Sequence, residues 1–282
     1  MRVVLSTYGS RGDVEPLVAL AVRLRELGAE VRVCAPPDED FAQRLDGVGV
    51  PLVPVGRSAR ALTTGAPPPS SLPERAAELI AGRFDAVTAA AEGCDVLVAT
   101  GMTPAAAGAR SVAEKLGIRS VSATFRQLTL PSPHRPPPAY PGRPFPPEVT
   151  DNRVLWDLDA QSIDALFGEA LNTNRAAIGL PPVDNVRGHV IGDRPWPATD
   201  PVLDPWQETP DLDVVQTGAW ILPDDRPPGT RSPAHPGDLN RQRPRAHVMR
   251  SVARRGHRVR HAGPAASPRA MVANDLRSEP MP

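Results

Sequence analysis

Gly9-Ser10-Arg11-Gly12-Asp13 is the segment of this chain whose residue types and spacing could do chemistry. It lies between a short apolar run, Val3-Val4-Leu5, and an amphipathic stretch that begins near Leu17. A strand therefore hands over to a helix there. In an open α/β sheet such a loop stands at the carboxyl ends of the strands, where ligands bind. Glycines let the backbone approach a ligand closely, and a helix N-terminus favours an anion. Asp13 has two compatible readings. It is a helix N-cap that complements the dipole, or a general base able to take a proton from a substrate hydroxyl. Two nucleotide motifs are excluded. Gly12 follows Gly9 by three residues and position 14 is Val14, so no G-x-G-x-x-G is formed, and no G-x-x-x-x-G-K-[ST] occurs.

Other reactive side chains offer less. Cys34 and Cys94 are the two cysteines and stand far apart, which reads as free buried thiols in a reducing compartment. All six histidines lie beyond residue 130, and His235, His247, His257 and His261 lack metal-type spacing with any carboxylate or thiol. No metal site is expected. Trp196, Trp206 and Trp220 flank prolines and read as packing anchors.

The elements that must position these groups are legible as periodicities. Arg2–Ser6, Val31–Ala35, Val96–Ala99 and Ile118–Ala123 read as strands. Between the first two, Leu17, Leu20, Ala21, Leu24 and Leu27 form a helical stripe that Gly28 ends. Further helical patterns cover Phe41–Val48, Leu72–Ala91 and Pro104–Leu116. Strands alternating with helices predict an α/β fold, a Rossmann-like parallel sheet. From Pro131 to Pro147 nine of 17 residues are proline, which excludes helix and central strand and leaves a long loop after a strand. A helix is expected from Asn152 to Ile178, with Trp156, Leu158, Ile163, Leu166, Phe167 and Leu171 for its buried face. Val214 to Leu222 fits a final strand or an interdomain connection.

Charge divides the chain in two. Residues 228–282 hold eleven arginines and three acids, or +8, so a net charge of zero over 282 residues leaves −8 for residues 1–227. An acidic body disfavours nucleic-acid binding. The basic tail could give salt-sensitive affinity for nucleic acid, but it has no Phe, Trp or Tyr for base stacking. Its lack of apolar period predicts disorder. No stretch approaches the 18 apolar residues of a membrane span, and the apolar run of three before Ser6 is too short for a signal peptide. A cytoplasmic protein is expected.

The opening MRVVLST with GSRGDVEPLVALAVRLRELGAEVRVCAPP (residues 9–37) resembles the glycosyltransferases that decorate glycopeptide-antibiotic aglycones. The stretches VGVPLVPVGRSAR (48–60), AAEGCDVLVATG (90–101), SVAEKLGI (111–118), NRAAIGLPPV (174–183) and DPVLDPWQETPDLDVVQTGAWILPDDRP (200–227) are similar to the same group. A GSRGDVxP start is shared more broadly with sterol and macrolide glycosyltransferases. The resemblance implies the N-terminal half of a GT-B enzyme: an acceptor domain over residues 1–205, a linker over 206–227, and then the tail over 228–282. It implies inverting, metal-independent transfer of a hexose or deoxyhexose from a dTDP- or UDP-linked nucleotide-sugar to an antibiotic aglycone. No cofactor is implied. Asp13 would be the base, with Ser10, Arg11 and Gly12 near the donor phosphates and reacting sugar. Phe125, Gln127 and His134 would belong to the acceptor cleft.

After Pro227 the resemblance ends. The family would continue into a donor domain carrying GFGS and HHGGAGTT, neither of which occurs here. Of 32 basic residues only Lys115 is lysine, as a GC-rich gene would give, and an out-of-frame reading of such a gene would yield this tail composition. The expectation is a glycosyltransferase truncated past its linker and inactive alone. The alternative is an acceptor-binding module complemented by a separate donor domain, or a fragment of a sterol- or macrolide-type glycosyltransferase.

Overall fold

The computed structural model describes residues 1–64, 71–140 and 142–222. In chain order the elements are β1 (Arg2–Ser6), α1 (Arg11–Glu26), β2 (Glu30–Ala35), α2 (Glu39–Asp46), β3 (Leu52–Pro54), α3 (Ala59–Thr64), α4 (Leu72–Ala91), β4 (Val96–Ala99), α5 (Thr103–Leu116), β5 (Arg119–Thr124), α6 (Asn152–Ala177), α7 (Val186–Ile191) and β6 (Trp196–Pro197). A 3₁₀ turn, Gln127–Thr129, follows β5. The strands form one parallel sheet in the order β3-β2-β1-β4-β5-β6. Among the described residues no helix is long and apolar enough to cross a membrane.

A strand alternates its side chains between faces, and both faces are buried here, so the strands read as unbroken apolar runs. Val3 and Leu5 pair in register with Val31 and Val33 on one side and Val96 and Val98 on the other. These six residues share a core with α1 and α2. Val4, Cys34, Leu97 and Ala99 point the other way, into a core with α4, α5 and α6. Both cysteines are free and buried, and burial pushes the Cys34 thiol up to about 12. Helix α5 lies against α4, α6 and the sheet. Its Thr-Pro-Ala-Ala-Ala-Gly-Ala start supplies the small residues that close contact on several sides requires.

Helix α6 corrects one expectation. Its buried face runs through Leu155, Trp156, Asp159, Ile163, Leu166, Phe167 and Leu171, whereas Leu158 is only half-buried. Asp159 thus occupies a core position, three residues after Trp156 and four before Ile163. At the far end of α6, every side-chain nitrogen of buried Arg175 is bonded. Its Nη1 and Nη2 donate to Glu114 at 2.7 and 3.0 Å, Nη1 also to Ser111 Oγ at 3.0 Å, and Nε to the Pro181 carbonyl at 2.8 Å.

The Val214–Leu222 segment is not a strand. It lies beside β6, with the Val215 and Thr217 amides donating to the Pro195 and Pro197 carbonyls. Part of the expected linker over 206–227 is therefore fastened to the sheet edge. The tail over 228–282 lies outside the described residues.

His189 on α7 meets Ser111 Oγ at 3.1 Å and the Ala107 carbonyl at 3.2 Å. Burial, with Arg110 and Arg175 nearby, pushes its imidazole down to about 4. The unfolded chain, with a histidine value of about 6.5, binds the proton that the folded chain refuses. Stability from this group is complete above about 6.5 and is lost as pH falls towards about 4. Urea midpoints should fall across that window, and His189→Gln should flatten the slope.

Candidate active site

The strand order places a reversal between β1 and β4: β1 leads through α1 to β2 on one side, and β4 through α5 to β5 on the other. The loops leaving the carboxyl ends of two such strands diverge and open a crevice. At their bases the two loops touch. The Met102 amide donates to the Tyr8 carbonyl at 3.0 Å, and Gly101 adopts φ +91°. A Cβ on Gly101 would stand 2.7 Å from the Tyr8 carbonyl oxygen and 2.8 Å from Thr7 Oγ1. Beneath them Arg83 of α4 is buried. Its Nη1 and Nη2 donate to Ser6 Oγ at 3.3 Å and the Thr7 carbonyl at 3.1 Å, and its Cζ lies 4.9 Å from the Tyr8 ring centroid. Desolvation pushes this guanidinium down to about 10.

Asp13 does not cap the helix. Ser10 is the N-cap and Asp13 the third residue of the first turn, the two forming a capping box. Asp13 Oδ2 accepts from the Ser10 amide at 2.9 Å, with Ser10 Oγ at 3.4 Å, while Ser10 Oγ accepts from the Gly12 amide at 3.3 Å. Gly9 makes this possible, because a Cβ there would stand 2.1 Å from Oδ2. Asp13 Oδ1 accepts nothing from the described residues.

Asp13 lines a cavity of about 280 Å³. The other walls are Thr100, Gly101, Thr103 and Ala106 around the start of α5, Ser122 to Thr124 of β5 with Phe125 and Arg126 after it, Thr129 and Leu130 at the 3₁₀ turn, and Pro138, Ala139 and Tyr140 of the proline-rich loop. Trp156, Asp159 and Ile163 of α6 and Arg187, Val190 and Ile191 of α7 complete it. Buried Asp159 is paired with Arg187 at 3.3 Å. Desolvation raises its carboxyl above the usual range, although Arg187 opposes this.

The expected site residues fare differently. Phe125 lines the cavity and packs edge-on against Trp220, with centroids 5.6 Å apart. Ser10 and Gly12 build the support beneath Asp13. Arg11 turns outward to Glu15 at 3.1 Å, and Glu15 also holds Arg44 of α2. Gln127 is buried outside the cavity wall: its Nε2 donates to Thr199 Oγ1 at 2.9 Å and to the Asp204 carbonyl, and Oε1 accepts from Arg135. His134 is exposed and off the wall, although its loop reaches the cavity through Tyr140. Residue reasoning missed Thr100, Thr103, Tyr140, Asp159 and Arg187. Asp159 carried a readable signal, an acid on an apolar stripe. Among the described residues no group of three or more His, Cys, Asp or Glu side chains could hold a metal.

A parallel sheet in this order with helices on both faces is the N-terminal half of a GT-B glycosyltransferase fold. Among solved structures the chain is similar to the glycotransferase of kitacinnamycin, with a TM-score of 0.54 and 18% identity over 83% of this chain and 55% of that one. It is also similar to CalG4, the calicheamicin glycosyltransferase, with a TM-score of 0.52 and 13% identity over 77% of this chain and 52% of that one. Residues 3–130 match the glycosyltransferase family 28 N-terminal domain.

The chain is homologous to vancomycin-type glycopeptide glycosyltransferases. It is 56% identical over 230 residues to glycosyltransferase GtfE of Amycolatopsis orientalis, covering 80% of this chain and 56% of that protein. Identity is 54% over 229 residues to the vancomycin aglycone glucosyltransferase of the same organism, covering 80% of this chain and 55% of that protein. For its dTDP-epi-vancosaminyltransferase the identity is 50% over 231 residues, covering 80% of this chain and 52% of that protein. The chain spans about half the length of these curated relatives.

Gly101 is the steric test of this crevice. Gly101→Ala should lower stability by about 1–3 kcal/mol, the cost of a strained left-handed residue, and should separate the Thr7–Tyr8 and Gly101–Met102 loops. A urea titration with an unchanged m-value would measure the first effect, and amide shifts at Tyr8 and Met102 the second.

Proposed function

We propose that this chain supplies the acceptor-binding half of an inverting, metal-independent glycosyltransferase acting on an antibiotic aglycone of the glycopeptide type. The observation that carries the reading is Asp13 at the wall of the crevice cavity, with Oδ2 fixed by Ser10 and Oδ1 without a protein partner. A carboxylate fixed on one oxygen and open on the other is suited to accept a proton. The aglycone hydroxyl gives its proton to Asp13 Oδ1, and the hydroxyl oxygen attacks C1 of the sugar. The bond from C1 to the nucleotide diphosphate breaks, the leaving group takes the electron pair, and C1 inverts. The donor is a dTDP- or UDP-linked hexose or deoxyhexose, a reading supported by the name of the dTDP-epi-vancosaminyltransferase relative.

Groups that bind the nucleotide and neutralise its diphosphate are needed for turnover. The cavity described here is read as that of the acceptor side, and the matched part of the chain covers 55–56% of the curated relatives. The 282-residue chain by itself is therefore expected to bind aglycone without transferring sugar.

Joined to the donor half of a relative, the chain should gain turnover, and Asp13→Asn should lower kcat about 10²–10⁴-fold, the range for general-base catalysis. Aglycone affinity should stay within a few-fold. An unchanged kcat would remove Asp13 from the mechanism. Sugar transfer by the 282-residue chain alone would contradict the need for a second half.

A further inference from the structure

Arg187 brings a guanidinium to the cavity wall that the proposed base does not use. Its Nη1 donates both to the Trp156 carbonyl and, at 3.3 Å, to Asp159 Oδ2. Its Cζ lies 5.4 Å from the Trp156 ring centroid. Nε and Nη2 donate to no group among the described residues. The side chain is 14% exposed and that of Asp159 6%, so the pair is largely removed from water.

Nε and Nη2 are not among the buried unpartnered atoms, so they open onto space where a ligand or water can meet them. Nε and Nη2 lie side by side in one plane, the spacing that matches the two oxygens of a carboxylate. Asp159 and Trp156 hold the fork by its other nitrogen and its face, leaving little side-chain entropy to lose on binding. The surrounding wall, with Tyr140, Trp156, Ile163 and Val190, suits an aromatic or apolar body attached to that carboxylate.

We propose that Arg187 is a specificity-determining residue that receives a carboxylate of the acceptor on Nε and Nη2, with Asp159 and Trp156 fixing the guanidinium. The inference rests on the cavity being the acceptor site. It assigns the acceptor two anchors, a hydroxyl at Asp13 and a carboxylate at Arg187.

The test is equilibrium binding of N-acetyl-tyrosine and N-acetyl-tyrosinamide to the 282-residue chain, followed by ligand-observed NMR. The two probes share a phenol and differ in carboxylate against neutral amide. The acid should bind about tenfold more tightly, as a charge-assisted pair of hydrogen bonds requires. That ratio should fall to about one in Arg187→Gln, and Arg187→Lys should restore at most part of it. It should persist in Arg126→Gln, which removes an exposed cation at the rim of the same cavity. Equal binding of the two probes by the unaltered chain, or binding of neither, overturns the assignment whether or not the variants fold. Loss of the ratio in Arg126→Gln overturns it in favour of the rim. None of these outcomes touches the glycosyltransferase reading, which stands or falls on kcat with Asp13→Asn and complete aglycone.

Discussion

One oxygen of Asp13 closes the first turn of α1, the other has no partner among the described residues, and the residue lines a cavity. That division of a single carboxylate is the constraint on which the site depends. The capping box fixes the χ angles of Asp13 by a backbone donor rather than by a mobile side chain, so the open oxygen has a defined position. Gly9 must lack a Cβ for the carboxylate to lie over the loop. Gly101 must take positive φ so that the next loop can pack against Tyr8. The site is therefore written first in two glycines and a helix start, and only then in its reactive atom.

Buried charge does the remaining positioning. Arg83 sits under the β1 loop and bonds to Ser6 and Thr7 without a carboxylate within ion-pair distance among the described residues. Asp159 and Arg187 face each other in the opposite wall, and Arg175 ties α6 to α5 through Glu114. Such pairs contribute little net stability compared with apolar replacements, because desolvation offsets much of the Coulomb attraction. Their value here is geometric: each fixes where one segment around the crevice crosses another.

Much of the sheet was legible because both its faces are buried. The limits of β1 and β4 and those of α4 follow directly from apolar runs and helical stripes between glycines and charges. Short elements were not. β3 has three residues and no buried one, α7 is a single short helix among prolines, and β6 contains Pro197, tolerable because β6 is the sheet's edge strand. The candidate site divides the same way. Asp13 is local, since its loop lies between one strand and one helix, although the capping geometry assigns the cap to Ser10. Gln127 and His134 stand in the correct loop but face elsewhere, because a 3₁₀ turn directs Gln127 towards Thr199 and Asp204. Arg187 and Asp159 lie far apart in sequence and meet through the packing of α7 on α6, which periodicity does not encode.

The relatives are glycosyltransferases, and the geometry supplies one crevice with Asp13 on its β1 side and an aromatic and apolar wall opposite. The proposed chemistry asks for a carboxylate held in place with one oxygen open. Asp13 meets that demand, with Oδ2 in the capping box and Oδ1 without a partner among the described residues. The most direct measurement is a crystal structure of the chain with a glycopeptide aglycone bound. An aglycone hydroxyl oxygen is expected about 2.6–3.2 Å from Asp13 Oδ1, the reach of a general base, with the capping box intact. An aglycone seated elsewhere, or seated in the cavity with every hydroxyl turned from Asp13, would contradict it.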